Sequence, residues 1–349
     1  MDKFDTVHEN ETGYILVLAS ARQNDHHATE TGFSFYLSEP NDGIKRIQEG
    51  GRMVIAAFDI GGTALKMGTM TSTGELLEKG KQPIRDSDGE QILQAMLAWI
   101  AAHPECEGVA ISAPGYVNPH TGYIEMGGAI RRFDNFAIKT WLEQRTRLPV
   151  AIENDANCVL LAERWQGKAA NISDFLVLTI GTGIGGAIFC NDRLVHGASF
   201  RAGEFGYMQT QRPGTRDVRR YSMNENCTLR VLRQRYAAHF GKTLEEVTGE
   251  EIFDRYDRGD ATCHRLVAEF FNGLGTGLYN LVNVFDPQTI LIGGGIVERP
   301  GFLTLLREHL AWFGIADYID TVSHGNDAGL IGAVYHFNQQ YRSPTGDRS

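Results

Sequence analysis

The 349-residue chain is short of paired cysteines, of positive charge and of long apolar runs. Its five cysteines, Cys106, Cys158, Cys190, Cys227 and Cys263, stand singly, with no CxC or CxxC among them. That argues against a disulfide framework and a zinc ribbon, and suits a reducing cytoplasm. Lysine and arginine number 33 against 43 acidic residues, a net charge of −10. Such a surface disfavours nucleic acid or an anionic membrane as partner. No apolar stretch approaches the ~20 residues of a membrane span, and no basic start with an apolar core marks a signal peptide. With 42% hydrophobic and 22% charged residues, the chain is composed for a sizeable buried core and has length for two domains.

Residues 1–52 differ from the rest of the chain. Their apolar runs are short, Tyr14 to Ala19 and Phe33 to Leu37, too little to stay folded alone. At Met53 the pattern switches to a clean strand. Gln48-Glu49-Gly50 can be encoded CAG GAG GGN, which contains the bacterial ribosome-binding sequence AGGAGG; by codon arithmetic it ends about eight nucleotides before the Met53 codon. The expectation is a non-native or disordered extension over 1–52, a first lobe over 53–170, a second over 171–341, and a frayed tail over 342–349.

Three strand-like runs, Val54 to Ile60, Ala64 to Met70 and Glu75 to Gln82, are joined by glycine turns and predict an antiparallel meander. Helical spacing follows over Gln91 to Ala102, a buried strand over Gly108 to Ser112, a helix over Phe136 to Arg147, a strand over Val150 to Ile152 and a helix over Ala156 to Trp165. Then the opening pattern returns. Ile60-Gly61-Gly62-Thr63 is answered 120 positions later by Ile180-Gly181-Thr182-Gly183, again between two apolar strands. So long a period points to a duplicated α/β domain, two lobes around a cleft, rather than a solenoid. A helical run over Cys263 to Phe285, a strand over Thr289 to Ile292 and helices near Gly301 to Trp312 and Gly329 to Asn338 complete the second half.

Four stations carry chemistry. Asp59-Ile60-Gly61-Gly62-Thr63, with Lys66 beyond, ends a strand in a carboxylate and two glycines, so backbone N–H groups can approach a phosphate and Asp59 can hold Mg2+ directly or through water. Gly181-Thr182-Gly183-Ile184-Gly185-Gly186 is a second such loop. It is no dinucleotide fingerprint, because a strand follows it, and no P-loop, because Gly-Lys-Ser/Thr is missing. Gly293-Gly294-Gly295, after a buried strand, leaves space for a flat ring or ribose. Glu153-Asn154-Asp155-Ala156-Asn157 lies between a strand and a helix; a helix cap needs one of these residues, and the surplus of polar side chains points to ligand contacts. A carboxylate there can accept a proton from a sugar hydroxyl. The histidines His196, His264, His324 and His336 read as isolated surface or core residues, Arg131-Arg132 as a solvated pair, and Trp99, Trp141, Trp165 and Trp312 as core or interface anchors.

Together with Ala113-Pro114-Gly115 and Ala202-Gly203-Glu204-Phe205-Gly206, these motifs resemble the ROK family of sugar kinases and repressors over roughly Met53 to Phe337. The resemblance implies a duplicated actin-like (ribonuclease H-like) ATPase fold and ATP with Mg2+ as cofactors. It implies Asp155 as the general base, with Gly115, Asn154 and Glu204 toward the sugar. Ala57, Phe58, Asp59, Ile60, Gly61, Gly62, Thr63 and Lys66 would line the nucleotide phosphates with Gly181, Thr182, Gly183 and Gly185, and Gly293, Gly294 and Gly295 would adjoin the adenosine. The stretches Phe58 to Met67, Gly127 to Asn135 and Tyr221 to Leu232 are closest to members that phosphorylate β-glucosides such as cellobiose at the 6-hydroxyl. Glucose and N-acetylhexosamines are the rival substrates.

Many family members carry Gly-His after the glutamate and a CxCGxxGCxE zinc motif, whereas Gly206-Tyr207 and Tyr221 to Cys227 stand here, so no zinc is expected. Repressors of the family have an N-terminal helix-turn-helix; residues 1–52 have no pair of amphipathic helices and a net charge of −4. A chaperone or filament protein on this scaffold would not need the cluster from Glu153 to Asn157. The resemblance also suggests a homodimer.

Overall fold

A computed structural model describes residues 52–342, residue 86 excepted, and two short strands nearer the N-terminus. The chain falls into two units, Met1–Arg46 and Ile47–Ser349. In the first, β1 (Val7–Glu9) and β2 (Ile15–Val17) pair antiparallel. The remainder of the expected extension, up to residue 51, lies outside the described residues, as does the tail after Arg342.

The second unit opens with the meander β3 (Val54–Ile60), β4 (Ala64–Thr71) and β5 (Leu76–Pro83). Helix α1 (Gly89–Ala102) follows, capped by Asp88, whose carboxylate accepts from the amides of Glu90 and Gln91. Then come β6 (Gly108–Ala113), a small sheet of β7 (Tyr116–Asn118), β8 (Tyr123–Met126) and β9 (Phe136–Ala137), and α2 (Ile138–Thr146). Strand β10 (Val150–Asn154) leads directly into α3 (Asp155–Gln166). The first large sheet has the order β10-β6-β3-β4-β5, with β6 and β10 parallel to β3.

The second half repeats this plan. Strands β11 (Phe175–Ile180), β12 (Ile184–Cys190) and β13 (Arg193–Leu194) form an antiparallel run. Helices α4 (Met223–Asn226), α5 (Leu229–Phe240), α6 (Gly249–Asp257) and α7 (Ala261–Phe285) precede β14 (Thr289–Gly293), α8 (Phe302–Ala311), β15 (Ile319–Thr321) and α9 (Ala328–Tyr341). The sheet order β13-β12-β11-β14-β15, read from its other edge, is the order of the first sheet, with β14 and β15 parallel to β11. The glycine turns at 61–63 and 181–183 therefore occupy the same place in two equivalent sheets.

The closing helices of the halves are exchanged. Sequence order assigns α9 to the second lobe, yet Leu330, Ala333, Val334 and Phe337 pack on Ile55, Ala57, Ala110 and Ala151 of the first sheet. Asn338 donates to the Ser72 carbonyl (2.8 Å) and Tyr341 to that of Val150 (3.0 Å). Conversely, Ala156, Leu160 and Leu161 of α3 pack on Phe175, Val177 and Ala187 of the second sheet. The buried Glu163 of α3 accepts from the amide (2.6 Å) and hydroxyl (3.0 Å) of Ser323. Where the two helices meet, a Cβ on Gly332 would fall 1.7 Å from the Cys158 carbonyl oxygen, so only glycine fits.

Two expectations change, and some elements went unforeseen. Trp312 is 91% exposed and anchors nothing in the core. Arg131 pairs with Asp134, and Arg132 with Glu90 while lying over the Phe136 ring, so they are not merely solvated. The strands of two to four residues in β7–β9 are too short to carry a period, and α5 has its apolar stripe broken by Arg230, Arg233 and Arg235. No helix among the described residues is long and apolar enough to cross a membrane.

Gly332→Ala should force α3 and α9 apart and cost about 1–3 kcal/mol or more, as overpacking does. A fall of several degrees in Tm checks this; an unchanged Tm would mean that the helices tolerate the added methyl.

Candidate active site

The polar stations lie at the carboxyl ends of parallel strands, where α/β sheets build their sites. Asp59 is the next-to-last residue of β3. Lys66 donates to its Oδ2 (2.9 Å) and the Ser112 hydroxyl to its Oδ1 (2.7 Å). Lys66 also reaches the Asn326 carbonyl (3.0 Å). Gly329, in the first turn of α9, sits so close that a Cβ there would be 2.5 Å from the Asp59 carboxylate. The positive end of α9 thus faces Asp59.

At the end of β10 the structure divides the polar cluster sharply. Asn154 is the N-cap of α3: its oxygen accepts from the amides of Ala156 (2.9 Å) and Asn157 (3.2 Å), and its nitrogen donates to the Gly115 carbonyl (3.0 Å). Glu153 is fully buried, its Oε1 accepting from the Asn154 amide (2.7 Å) and the Asn157 side chain (3.0 Å). Most of the surplus polarity therefore holds the strand-to-helix junction. Asp155 remains, with the Ala156 amide donating to its Oδ1 (2.9 Å).

Asp155 opens toward the cleft, yet protein atoms crowd its carboxylate away from bulk water. This desolvation, reinforced by the charges of Asp59 and Glu204, pushes its pKa up to about 7, against the bonds from Ala156 and Asn154. Such a group is poised to exchange a proton near neutral pH.

Glu204 lies in the second half, after the tight turn at Gly203 (φ +87°). Burial raises its pKa while Arg201 opposes the rise. Arg201 lies over the Tyr116 ring (4.2 Å) and pairs with Glu125. Tyr116 is hydrogen-bonded to Tyr207, and its hydroxyl is pushed up to about 12 by burial, that bond and the Glu204 charge. Gly115 beside it has φ +91°, and a Cβ would strike the Met126 carbonyl oxygen at 1.8 Å. Gly115, Asn154, Asp155 and Glu204 are thus gathered around one place.

The glycine loops divide into required and unrequired positions. Gly294 has φ +95° and would clash with the Ile180 carbonyl oxygen at 2.1 Å, and a Cβ on Gly185 would meet the Thr179 hydroxyl at 2.6 Å. An added Cβ on Gly181 or Gly295 meets no atom within 4 Å. The fold does not demand glycine at these two positions, and both border open space.

A ROK family model matches residues 55–340. The chain belongs to the ROK family. A β-glucoside kinase from Klebsiella pneumoniae is 78% identical over 296 residues, covering 85% of this chain and all of the relative. The β-glucoside kinase of Listeria monocytogenes is 58% identical over 82% of this chain and 98% of its own length. Among solved structures, a ROK family glucokinase from Streptomyces griseus in complex with glucose and AMPPNP is 25% identical, with a TM-score of 0.68 over 80% of this chain and 98% of that one. Cys227 is buried, and no three of His, Cys, Asp and Glu converge as a metal site among the described residues.

Sequence reading missed the surroundings of Glu153. His196 is not isolated; its Nε2 lies 2.7 Å from Glu153 Oε2, and the Nδ1 of the buried His336 lies 4.0 Å away. Burial acts to raise the Glu153 carboxyl, but the bond from His196, the two imidazoles and Asn157 outweigh it and hold it below the ordinary range. Burial lowers His336, with Glu153 opposing and His196, Lys139 and His120 adding to the fall. The histidines' spacing in sequence gave no hint of this convergence.

Folded Asp155 keeps its proton up to about 7, whereas an ordinary aspartate loses it near 3.8. The folded state therefore binds the extra proton between these values, and stability falls as pH rises through that window. Asp155→Asn should melt above the native protein at pH 8, with the advantage shrinking toward pH 4; an equal difference at both pH values would reject the raised pKa.

Gly181→Ala should leave Tm within about 2 °C, as substitutions without steric conflict do, and raise KM for ATP. Gly294→Ala should lower stability by about 1–3 kcal/mol through backbone strain. An unaffected ATP KM in the first would detach Gly181 from nucleotide binding.

Proposed function

We propose that the protein is an ATP-dependent β-glucoside kinase that transfers the γ-phosphoryl group to the 6-hydroxyl of the non-reducing glucose of compounds such as cellobiose. The observation that carries this reading is Asp155: a carboxylate facing the cleft at a helix N-terminus, with a pKa near the operating pH. It takes the proton of the 6-hydroxyl as that oxygen bonds to phosphorus and the bond to the ADP oxygen breaks. Glu204 accepts hydrogen bonds from ring hydroxyls, and Asn154 adds to them with the amide hydrogen not engaged by Gly115.

The turns at 61–63 and 181–183 would bracket the phosphates, and Gly293 to Gly295 would border the adenosine. Open space over Gly181 and Gly295 supports this. Asp59 suits Mg2+, whose chemistry is to neutralise charge on the phosphates; with Lys66 and Ser112 already on its two oxygens, contact through water fits better than direct coordination. Catalysis then rests on alignment and electrostatics. The 78% and 58% identities to β-glucoside kinases favour a β-glucoside over free glucose.

ADP release with Mg-ATP should be strongest with cellobiose, gentiobiose or an aryl β-glucoside and weaker with glucose or N-acetylhexosamines, and Asp155→Ala should lose it by at least about a hundredfold. Preference for a monosaccharide would move the substrate within the family. Retained activity in Asp155→Ala would remove the base.

A further inference from the structure

We propose that His196 is a positioning residue for phosphoryl transfer, one end of a bridge that fixes the Glu204 loop against the strand end bearing Asp155. The inference rests on the roles given to Asp155 and Glu204 above. The bridge can be followed atom by atom. The Ala202 amide, two residues before Glu204, donates to the His196 carbonyl (3.1 Å). The His196 imidazole meets Glu153 Oε2 (2.7 Å). The other Glu153 oxygen accepts from the amide of Asn154 (2.7 Å), the residue before Asp155, and from Asn157 in the first turn of α3 (3.0 Å). His196 follows β13 of the second sheet and Glu153 is the next-to-last residue of β10 of the first, so the bridge joins the halves where each presents a carboxylate to the cleft.

The electrostatics make the contact obligatory. A buried, ionised carboxylate is costly unless it is paired and hydrogen-bonded. His336 does not fill that role: at 4.0 Å it is beyond hydrogen-bond distance, and its Nε2 is engaged by Gln340, which also donates to the Pro119 carbonyl. His196 is the side chain that hydrogen-bonds Oε2. The intervening loop is tightly wound, with positive φ at Gly197 (+76°), Phe200 (+57°) and Gly203 (+87°). A bulky residue such as Phe200 persists in this strained conformation where its surroundings over-determine it; its ring packs on those of His196 (6.1 Å) and His120 (5.9 Å).

The test is steady-state kinetics of H196A and H196Q with cellobiose and ATP varied in turn, alongside thermal melts. H196A should lose about tenfold or more in kcat/KM for the sugar, the scale of a sub-ångström misalignment, with KM for ATP within about twofold of native. H196Q, whose amide can still donate to Glu153, should recover most of the loss. Should H196A not fold, the double variant E153Q/H196A, which leaves no unpaired buried charge, carries the same expectation. Native sugar kinetics in H196A or the double variant, an equal rise in KM for ATP and for the sugar, or H196Q no better than H196A would overturn the proposal. Full activity in Asp155→Asn would instead overturn the assignment of the base, independently of how His196 behaves.

Discussion

The contact of Gly332 with the Cys158 carbonyl sets the distance between two helices, and most of the site hangs on those helices. At this crossing α9 lies on the first sheet and α3 on the second, each fastened by side chains to the sheet it has borrowed. The N-terminus of α9 reaches Asp59, and the N-terminus of α3 carries Asp155. The two cleft carboxylates therefore inherit their separation from one helix crossing. A methyl group at Gly332 would move both, although neither touches it.

Neighbouring carboxylates in one site meet different electrostatic fates. Asp59 has an ammonium and a hydroxyl on its two oxygens. Glu153 is wholly buried but surrounded by donors and imidazoles, and stays ionised below the ordinary range. Asp155, two residues further along and with fewer donors, feels crowding and two like charges and rises to about 7. The contrast follows from who supplies the hydrogen bonds, since all three sit at strand ends in a similar place. It separates a group that anchors, a group that can face a cation, and a group that can trade a proton.

Much of this was legible in the residues. The pair Ile60-Gly61-Gly62-Thr63 and Ile180-Gly181-Thr182-Gly183 announces the duplication, and the sheet orders bear it out down to the parallel and antiparallel neighbours. Asp155 stands out by type and position. The exchange of α3 and α9 was hidden, because amphipathic spacing states that a helix buries a face without stating against which sheet. Glu153 and Asn157 looked like ligand groups because a sequence shows polar residues but not their partners. His196 lies 43 positions from Glu153, a separation at which no local pattern operates. The short strands β7 to β9, which hold Tyr116 beside Tyr207, carry too few residues for any period.

The exchanged helix has a consequence for how the chain comes into being. As synthesis proceeds from the N-terminus, the first sheet is complete by Asn154, with Ile55, Ala57, Ala110 and Ala151 on a face that only residues 328–341 will cover. For the time taken to make more than half of the protein, that apolar face waits without its lid. The nascent chain is thus exposed to misassembly over this interval, and the final helix acts as the closing stitch of the part that was made first.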